Sequence, residues 1–180
     1  MTKKYTSLGL MSGTSGDGVD ASIVKSNGTN KYTVILDKYF KYPKSIYKNL
    51  TILRDKIKTS KDLKIHKKLL TNVEKDITIF HAKAANEILQ KSKKNVDFIG
   101  FHGQTILHSP SNGITKQLGD GNLLSKITKR TVIYNFREND LINGGEGAPL
   151  APIFHKMQAK KYKLNLPLSI LNLWRKENVK

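Results

Sequence analysis

A run of small, hydroxyl and carboxylate residues lies close to the N-terminus, at residues 9–20. Glycines let a backbone approach a ligand closely, and the hydroxyls of Thr14 and Ser15 can donate hydrogen bonds to phosphate oxygens. Asp17 and Asp20 can hold a Mg²⁺ ion directly or through water. These residue types favour a nucleotide-binding loop. The alternative is an ordinary glycine-rich hairpin turn that binds no ligand. On residue types alone we give this alternative roughly half the weight, because short glycine motifs often match by chance.

A second set of polar residues lies further along the chain. His102 follows a buried apolar run, and an isolated histidine there more often satisfies a backbone carbonyl, by about two to one, than it performs chemistry. Arg137 with Asp140 is either a surface ion pair or a contact for a sugar or phosphate. The glycine loop at residues 144–147 is either part of that contact or a mobile connection. The five histidines have no metal-ligand spacing, so we predict no zinc site.

The elements that position these residues follow from apolar periodicity. Short β-prone segments predict an antiparallel meander over residues 5–11, 21–24 and 32–37, with Asn27-Gly28 as a tight turn. Later strands are predicted at residues 96–101, 131–136 and 166–173.

Helical spacing gives the remaining elements. Ile46, Leu50, Leu53 and Ile57 form one apolar stripe after Pro43, which predicts a helix. Further helices are predicted over residues 61–91, 119–129 and 149–160. The resulting order predicts an α/β fold, with a mixed sheet and flanking helices.

The formal net charge is +18, so a polyanionic partner such as a nucleic acid has to be considered. Arginine occurs at only four positions, and the lysines are scattered along the chain. Nucleic-acid-binding surfaces more typically carry arginine-rich stripes interleaved with aromatics. We therefore weigh a solvated lysine-rich surface about four to one over a basic nucleic-acid-binding module, and we do not expect nucleic acid as a partner.

Cysteine usage and hydropathy narrow the class further. There is no cysteine, which excludes a disulfide framework and any thiolate metal site. The apolar stretch at residues 8–11 is too short for a signal-peptide core or a membrane span, so we expect a cytoplasmic protein with no membrane partner.

The sequence of the glycine-rich run resembles the first phosphate-binding loop of anhydro-N-acetylmuramic acid kinases. The matching residues are Leu-Met-Ser-Gly-Thr-Ser at positions 10–15 and Asp-Gly-Val-Asp at positions 17–20. Five further blocks follow in the family's order, at residues 100–108, 117–120, 136–140, 144–150 and 152–155. The resemblance covers nearly the whole chain.

The resemblance implies the N-terminal lobe of an actin-like ATPase fold, also called ribonuclease H-like, as in sugar kinases and Hsp70. It implies a kinase that uses Mg-ATP and water to open the anhydro ring of 1,6-anhydro-N-acetylmuramic acid. The product would be N-acetylmuramic acid 6-phosphate, in bacterial cell-wall (peptidoglycan) recycling. ATP would be held by Gly13, Thr14, Ser15, Gly16, Asp17, Gly18, Val19 and Asp20, with Asp17 and Asp20 near the metal. The amino sugar would be contacted by His102, Gln104, Arg137, Asp140, Gly145 and Glu146.

The sequence departs from the family pattern at four places. Gly16 replaces a larger apolar residue, which should loosen the loop, Asn135 replaces an aspartate, and Glu146 replaces a glutamine. Trp174-Arg175 replaces a pair of glycines, after which the family continues with a second phosphate loop and the general base. Residues 1–165 are therefore expected to form the N-terminal lobe and residues 166–180 the start of a truncated second lobe.

The position of the catalytic base leaves two alternatives for this chain. Its base is expected beyond Lys180, so the chain is either a kinase by family or a non-catalytic fragment of that kinase. An exposed strand edge at residues 166–173 would favour a homodimer or pairing with a separately encoded second half.

Overall fold

The computed structural model describes residues 3–162, and they form a mixed sheet with helices packed against it. The first three strands are β1 (Tyr5–Ser12), β2 (Gly18–Ser26) and β3 (Tyr32–Lys41), and each pairs antiparallel with the next. The predicted meander is thereby confirmed. The observed strands are longer than predicted, because alternation continues through the polar residues at their ends.

The remaining strands extend the sheet from β1. β4 (Phe98–Ser109) runs parallel to β1, β5 (Ile114–Leu118) pairs antiparallel with β4, and the short β6 (Val132–Ile133) runs parallel to β4. The strand order is β3-β2-β1-β4-β5, with β6 beside the first half of β4. The sequence did not predict β5, and it predicted that β4 would end near Phe101.

Three helices follow the meander. They are α1 (Lys44–Lys56), α2 (Ser60–Ile65) and α3 (Lys67–Ser92). The predicted stripe of α1 is confirmed, since Ile46, Leu50 and Leu53 are buried. The single helix predicted over residues 61–91 is instead two helices, which are separated at His66. α2 begins with a capping box between Thr59 and Asp62, which fixes a separate short helix before α3.

The last helices are α4 (Gly121–Thr128), α5 (Phe136–Ile142) and α6 (Pro152–Lys161). The sequence predicts a strand over residues 131–136, but only Val132–Ile133 pair with β4. Asn135 has a left-handed backbone with φ of 59°, and it ends the extended segment at the point where α5 begins. The predicted strand at residues 166–173 lies outside the described residues.

The core lies between the sheet and helices α1, α3 and α4. Its members are side chains no more than about a tenth exposed, which alternate along the strands and recur at helical spacing on the helices. Among the largest are Leu8, Ile23, Leu50, Ile77 and Phe101. β1 and β4 are adjacent and parallel at the centre of this sheet, so their carboxyl ends meet at one edge. Ligands of open α/β sheets typically bind at such an edge.

Candidate functional site

The loop between β1 and β2 is a tight turn at the carboxyl end of β1. The amide of Gly16 donates to the carbonyl of Gly13 at 3.1 Å, which closes the turn. Thr14 and Ser15 lie at its exposed tip. Gly16 has φ of +66°, a conformation that glycine adopts without steric cost. The turn thus places the exposed residues Thr14 and Ser15 at the sheet edge.

A buried hydrogen-bond network attaches this turn to the sheet. The Gln104 side-chain amide donates to the Gly13 carbonyl at 2.9 Å, and its Oε1 lies 2.6 Å from the Ser12 hydroxyl. The Tyr42 hydroxyl donates to Ser12 Oγ at 3.0 Å. Ser12 Oγ is also 2.8 Å from the Gly18 carbonyl, so its one proton is shared between two acceptors. The network fixes both ends of the turn.

Gln104 reaches the turn because β4 contains a bulge. Leu10 pairs with Phe101 but Ser12 pairs with Gln104, so β4 has one extra residue between these pairs. Gly103 lies in the bulge with φ of +73°, and a Cβ there would be 2.6 Å from the Leu118 carbonyl. The bulge reverses the alternation of side chains, so His102 and Gln104 serve opposite sides of the sheet. Gln104 is 1% exposed and its side chain holds the turn, while its contact with the substrate stays a prediction.

Arg54 of α1 supports the turn from the helix side. Its Nη1 donates to the Thr14 carbonyl, and its Nη2 donates to the Ser15 carbonyl at 2.9 Å. Sequence reasoning missed Arg54 and Tyr42, and it gave no role to Ser12 within the matched motif. The signal for Arg54 was its place directly after Leu53, in the last turn of α1; nothing in the sequence indicated its partner.

The two carboxylates near the turn have different electrostatic environments. A hydrogen bond from the Ser15 hydroxyl, 2.5 Å from Asp17 Oδ1, lowers the pKa of Asp17, and a further bond from Tyr39 acts in the same direction. Burial raises the pKa of Asp20, and the negative charge of Asp17 raises it further. Asp17 is therefore ionised at neutral pH, and a cation between the two groups would relieve their repulsion.

These carboxylates fit a nucleotide-bound Mg²⁺ better than a metal cage made of protein alone. Between residues 3 and 162, no three His, Asp or Glu side chains lie close enough together to hold a metal. Mg²⁺ usually takes one or two carboxylates, several waters and the phosphates of its nucleotide. Asp17 and Asp20 can provide that number of ligands.

The last three residues predicted to bind ATP belong to β2. Val19 is fully buried in the core, so its side chain stabilises the sheet. A Cβ on Gly18 would lie 2.4 Å from the Phe40 carbonyl, so glycine is required there by the neighbouring strand. Asp20 is exposed on the opposite face of β2 from Val19. The exposed residues of the predicted motif are therefore Thr14, Ser15, Asp17 and Asp20, and Gly13 is half-buried.

A second polar cluster lies where α5 meets β4. Arg137 Nε donates to His102 Nε2 at 2.8 Å, and its Nη1 donates to the Gly147 carbonyl at 2.7 Å. The Gly147 amide donates to Asp140 Oδ2 at 2.8 Å. Arg137 thus binds the carbonyl of Gly147 and Asp140 binds its amide. In the described part of the chain, no ion pair within 4.0 Å joins Arg137 and Asp140. The loop at residues 144–147 is anchored by these contacts.

His102 has both ring nitrogens engaged. Because Nε2 accepts from Arg137, the ring proton is on Nδ1, which donates to the Gly103 carbonyl at 2.9 Å. Burial lowers the pKa of His102, and the positive charge of Arg137 lowers it further. His102 is therefore a neutral imidazole of fixed tautomer, and it is poorly suited to accept a proton.

A groove of about 600 Å³ opens beside this cluster. It is lined by His102, Phe136, Asn139, Asp140, Asn143, Leu150 and Ala151. Four of these residues come from α5 and its C-terminal cap at spacings of three and four, which places them on one helix face. Apolar walls with a few convergent polar groups are typical of small-molecule sites. The matched block at residues 136–140 contains Asn139, although Asn139 was not chosen as a contact residue; Asn143 lies outside every matched block and was missed.

Two more residues predicted to contact the sugar lie in the glycine loop. The Gly145 amide donates to the Asp140 carbonyl at 2.8 Å, and a Cβ there would be 2.2 Å from Asp140 Oδ2. Glu146 is exposed. Neither residue lines the groove, whereas His102 and Asp140 do. Arg137 supports the groove through His102.

The site and sheet together define a class of protein. An antiparallel meander joined to a parallel strand, with a glycine turn at the carboxyl end of β1, is a mixed α/β fold consistent with the actin-like ATPase fold of sugar kinases. The sequence model of the family described as anhydro-N-acetylmuramic acid kinase matches residues 5–178. The chain belongs to this family.

Curated relatives agree with that assignment. The anhydro-N-acetylmuramic acid kinase of Pelagibacter ubique (strain HTCC1062) is 55% identical over 173 residues, which cover 96% of this chain and 46% of the relative. The kinase of the same description from Rhizobium etli is 35% identical over 161 residues, covering 88% and 44%. That from Agrobacterium fabrum is 37% identical, covering 86% and 42%. The chain spans less than half the length of these relatives.

The helices show one further feature relevant to the class. No helix between residues 3 and 162 combines the length and hydrophobicity needed to cross a bilayer.

Proposed function

We propose that the chain provides the nucleotide-binding and sugar-binding part of an ATP-dependent kinase acting on 1,6-anhydro-N-acetylmuramic acid. The observation that supports this most directly is the hydrogen bond from Gln104 to the Gly13 carbonyl. It joins the glycine turn to the strand that carries His102, so a phosphate site and a groove share two adjacent parallel strands. The family of kinases to which the chain belongs supports the same reading.

ATP would lie against the turn, with the Thr14 hydroxyl and the Ser15 amide donating to its phosphates. Asp17 and Asp20 would hold Mg²⁺ directly or through water, and Gly16, Gly18 and Val19 would shape the turn and β2 behind them. Bound ATP would supply the phosphoryl group that O6 of the sugar receives as the anhydro ring is opened by water. The turn would orient and partly neutralise the phosphates, since positioning and charge stabilisation dominate phosphoryl transfer.

The amino sugar would occupy the groove beside α5. Phe136 and Leu150 offer apolar surface to a sugar ring, and the side chains of Asn139, Asp140 and Asn143 offer hydrogen bonds to its hydroxyl and amide groups. The described residues have binding and positioning roles in this proposal, and none is assigned as the general base. We propose residues 1–165 as one lobe, with residues 166–180 leading into a second.

Calorimetry on the 180-residue chain tests the two binding roles separately. We expect Mg-ATP to bind, and Asp17→Asn to weaken that binding in the presence of Mg²⁺. The control is Asp37→Asn, an exposed carboxylate on β3 outside the turn. Failure of ATP to bind at millimolar concentration would overturn the nucleotide proposal.

A second titration uses 1,6-anhydro-N-acetylmuramic acid, with N-acetylmuramic acid as the comparison sugar. We expect the anhydro sugar to bind and Asn139→Ala to weaken it. Asn112→Ala, in the turn after β4, is the matched control because Asn112 does not line the groove. Equal affinity for both sugars would refute the assignment of the anhydro sugar as substrate. Sugar-dependent release of ADP would establish the reaction itself.

A further inference from the structure

Arg54 makes an unusual pair of contacts with the glycine turn. It lies in the last turn of α1, and that helix is fixed to the core by Leu50 and Leu53, both fully buried. Its guanidinium donates to two consecutive carbonyls, those of Thr14 and Ser15. A planar fork of N–H groups can bind two neighbouring acceptors at once, which a lysine ammonium does less well. The turn is thereby attached to a rigid helix.

The direction of these carbonyls decides where the turn's amides point. In a planar trans peptide the C=O and the following N–H point in nearly opposite directions. With the Thr14 carbonyl held toward Arg54, the Ser15 amide is directed away from α1, at the exposed tip of the turn. The amide after the Ser15 carbonyl belongs to Gly16 and is already bonded to Gly13. The Ser15 amide is therefore presented to a ligand, while both carbonyls, which would repel phosphate, face the helix.

Gly16 provides the space that the guanidinium occupies. A Cβ at this position would lie 2.7 Å from Arg54 Nη2, 3.3 Å from its Cζ and 3.5 Å from Leu50 Cδ1. The sequence led us to expect that glycine here would loosen the turn. In the structure Gly16 is buried and in contact with Arg54, so its lack of a side chain permits the attachment.

The charge of Arg54 also remains available at this position. In the described part of the chain its guanidinium forms no ion pair with a carboxylate, and its hydrogen bonds are to carbonyl oxygens. Hydrogen bonds to carbonyls leave the net charge in place. A positive charge behind the turn favours an anion in front of it.

We propose that Arg54 is a positioning residue for nucleotide binding, which holds the Thr14 and Ser15 carbonyls against α1 so that the turn offers the Ser15 amide to phosphate. This inference rests on the proposed function, because the ligand it positions is the nucleotide. Gly16 leaves the space that the guanidinium occupies in this arrangement.

Titration of Mg-ATP into a set of variants tests the proposal. Arg54→Ala should weaken binding by about tenfold or more, the effect of losing one to two charge-assisted hydrogen bonds. Arg54→Lys should recover only part of this loss, because one ammonium cannot bind both carbonyls in the same geometry. Lys56→Ala is the matched control, since it removes one positive charge from the same exposed helix turn. Its affinity for ATP should stay within about twofold of the wild-type value.

A double-mutant cycle tests the pairing with Gly16. Gly16→Ala should weaken ATP binding strongly when Arg54 is present, and less in the Arg54→Ala background, where only the backbone strain remains. Affinity for the anhydro sugar should be unchanged in every variant, which a general loss of folding would not allow. If Arg54→Ala fails to fold, Arg54→Lys retains the aliphatic stem and carries the test.

The outcomes separate this proposal from the proposed function. Wild-type protein that binds ATP together with an Arg54→Ala variant of equal affinity would overturn the positioning role alone. A loss of affinity in Lys56→Ala as large as in Arg54→Ala would reduce the effect to net charge and would also overturn it. Wild-type protein that binds no ATP would refute the proposed function, and the positioning role with it.

Discussion

Replacing Gln104 separates a role in holding the glycine turn from a role in binding sugar. Gln104→Leu removes the bonds to Gly13 and Ser12 and leaves a side chain of similar size. The Gly13 carbonyl keeps its bond from Gly16, and the Ser12 hydroxyl can still donate to Gly18, so no group is fully orphaned. Two hydrogen bonds at about 1 kcal/mol each give an expected loss of about 2 kcal/mol.

Gln104→Glu makes a sharper version of the same test. The new carboxyl would be buried at a position that is 1% exposed, and its second oxygen would face the Gly13 carbonyl. Burial, together with a carbonyl facing one of its oxygens, raises the pKa of such a carboxyl by about 3 units above its usual value of about 4.3. The folded state then binds more protons than the unfolded state, so stability falls as pH rises between these values. Relative to wild type, the variant should lose about 3 kcal/mol more at pH 8 than at pH 5.

Urea unfolding at both pH values measures these differences, and calorimetry measures ligand affinity. Gln104→Leu should show the same difference from wild type at both pH values, with weaker ATP binding and unchanged sugar binding. Gln117→Leu on β5 is the matched control, since its amide contacts threonines of β4 and β5 rather than the turn. Unfolding free energies within about 0.5 kcal/mol of wild type for both Gln104 variants would refute the network. A selective loss of sugar affinity would restore the role predicted from the sequence.

Three further predictions concern the strands and helices behind the site. Burial lowers the pKa of His81 to about 4, below its unfolded value of about 6.5, so the free energy of unfolding should fall as pH drops through this window, by about 2 kcal/mol at pH 5. His81→Phe should remove this pH dependence, which urea unfolding measures. Gly103→Ala should cost more stability than Gly113→Ala, because both have positive φ but only Gly103 has a carbonyl 2.6 Å from the added Cβ; equal costs of about 1 kcal/mol would contradict the bulge geometry. Arg137→Met should raise the pKa of His102 toward its usual value, since the guanidinium charge lowers it; NMR titration of the imidazole measures the shift, and an unchanged pKa would exclude the contact.

Local signals were sufficient to predict the first half of the fold. The meander and α1 follow from alternation and from the stripe that includes Leu50 and Leu53, because in both cases one face is buried and the period is visible. The glycine turn was also found, since its residue types are unusual together.

The elements that were missed lack such a signal. β5 (Ile114–Leu118) alternates weakly and is fixed by pairing with β4, a contact the sequence does not encode locally. α5 (Phe136–Ile142) has no buried residue, so it has no apolar stripe to detect. The resemblance implies a sugar contact for both His102 and Gln104, but the bulge at Gly103 reverses the two-residue period, so the two side chains serve opposite sides of the sheet. Sequence spacing within a strand fails wherever one extra residue is inserted.

The way the turn is held has a consequence for how it could respond to a ligand. Thr14 and Ser15 are exposed and contribute little to the core, so hydrogen bonds rather than apolar contacts fix the turn's shape. Those bonds come from β4 through Gln104 and from α1 through Arg54, and the turn can keep its shape only while helix and sheet keep their relative position. Gln104 and Arg54 both belong to elements packed in one core, so the entropy of ordering the turn is lost on folding and not on ligand binding. This is what a preorganised phosphate site requires. Any change that shifts α1 against β4 should therefore weaken the proposed phosphate binding before it alters the proposed sugar groove, since no residue of α1 lines that groove.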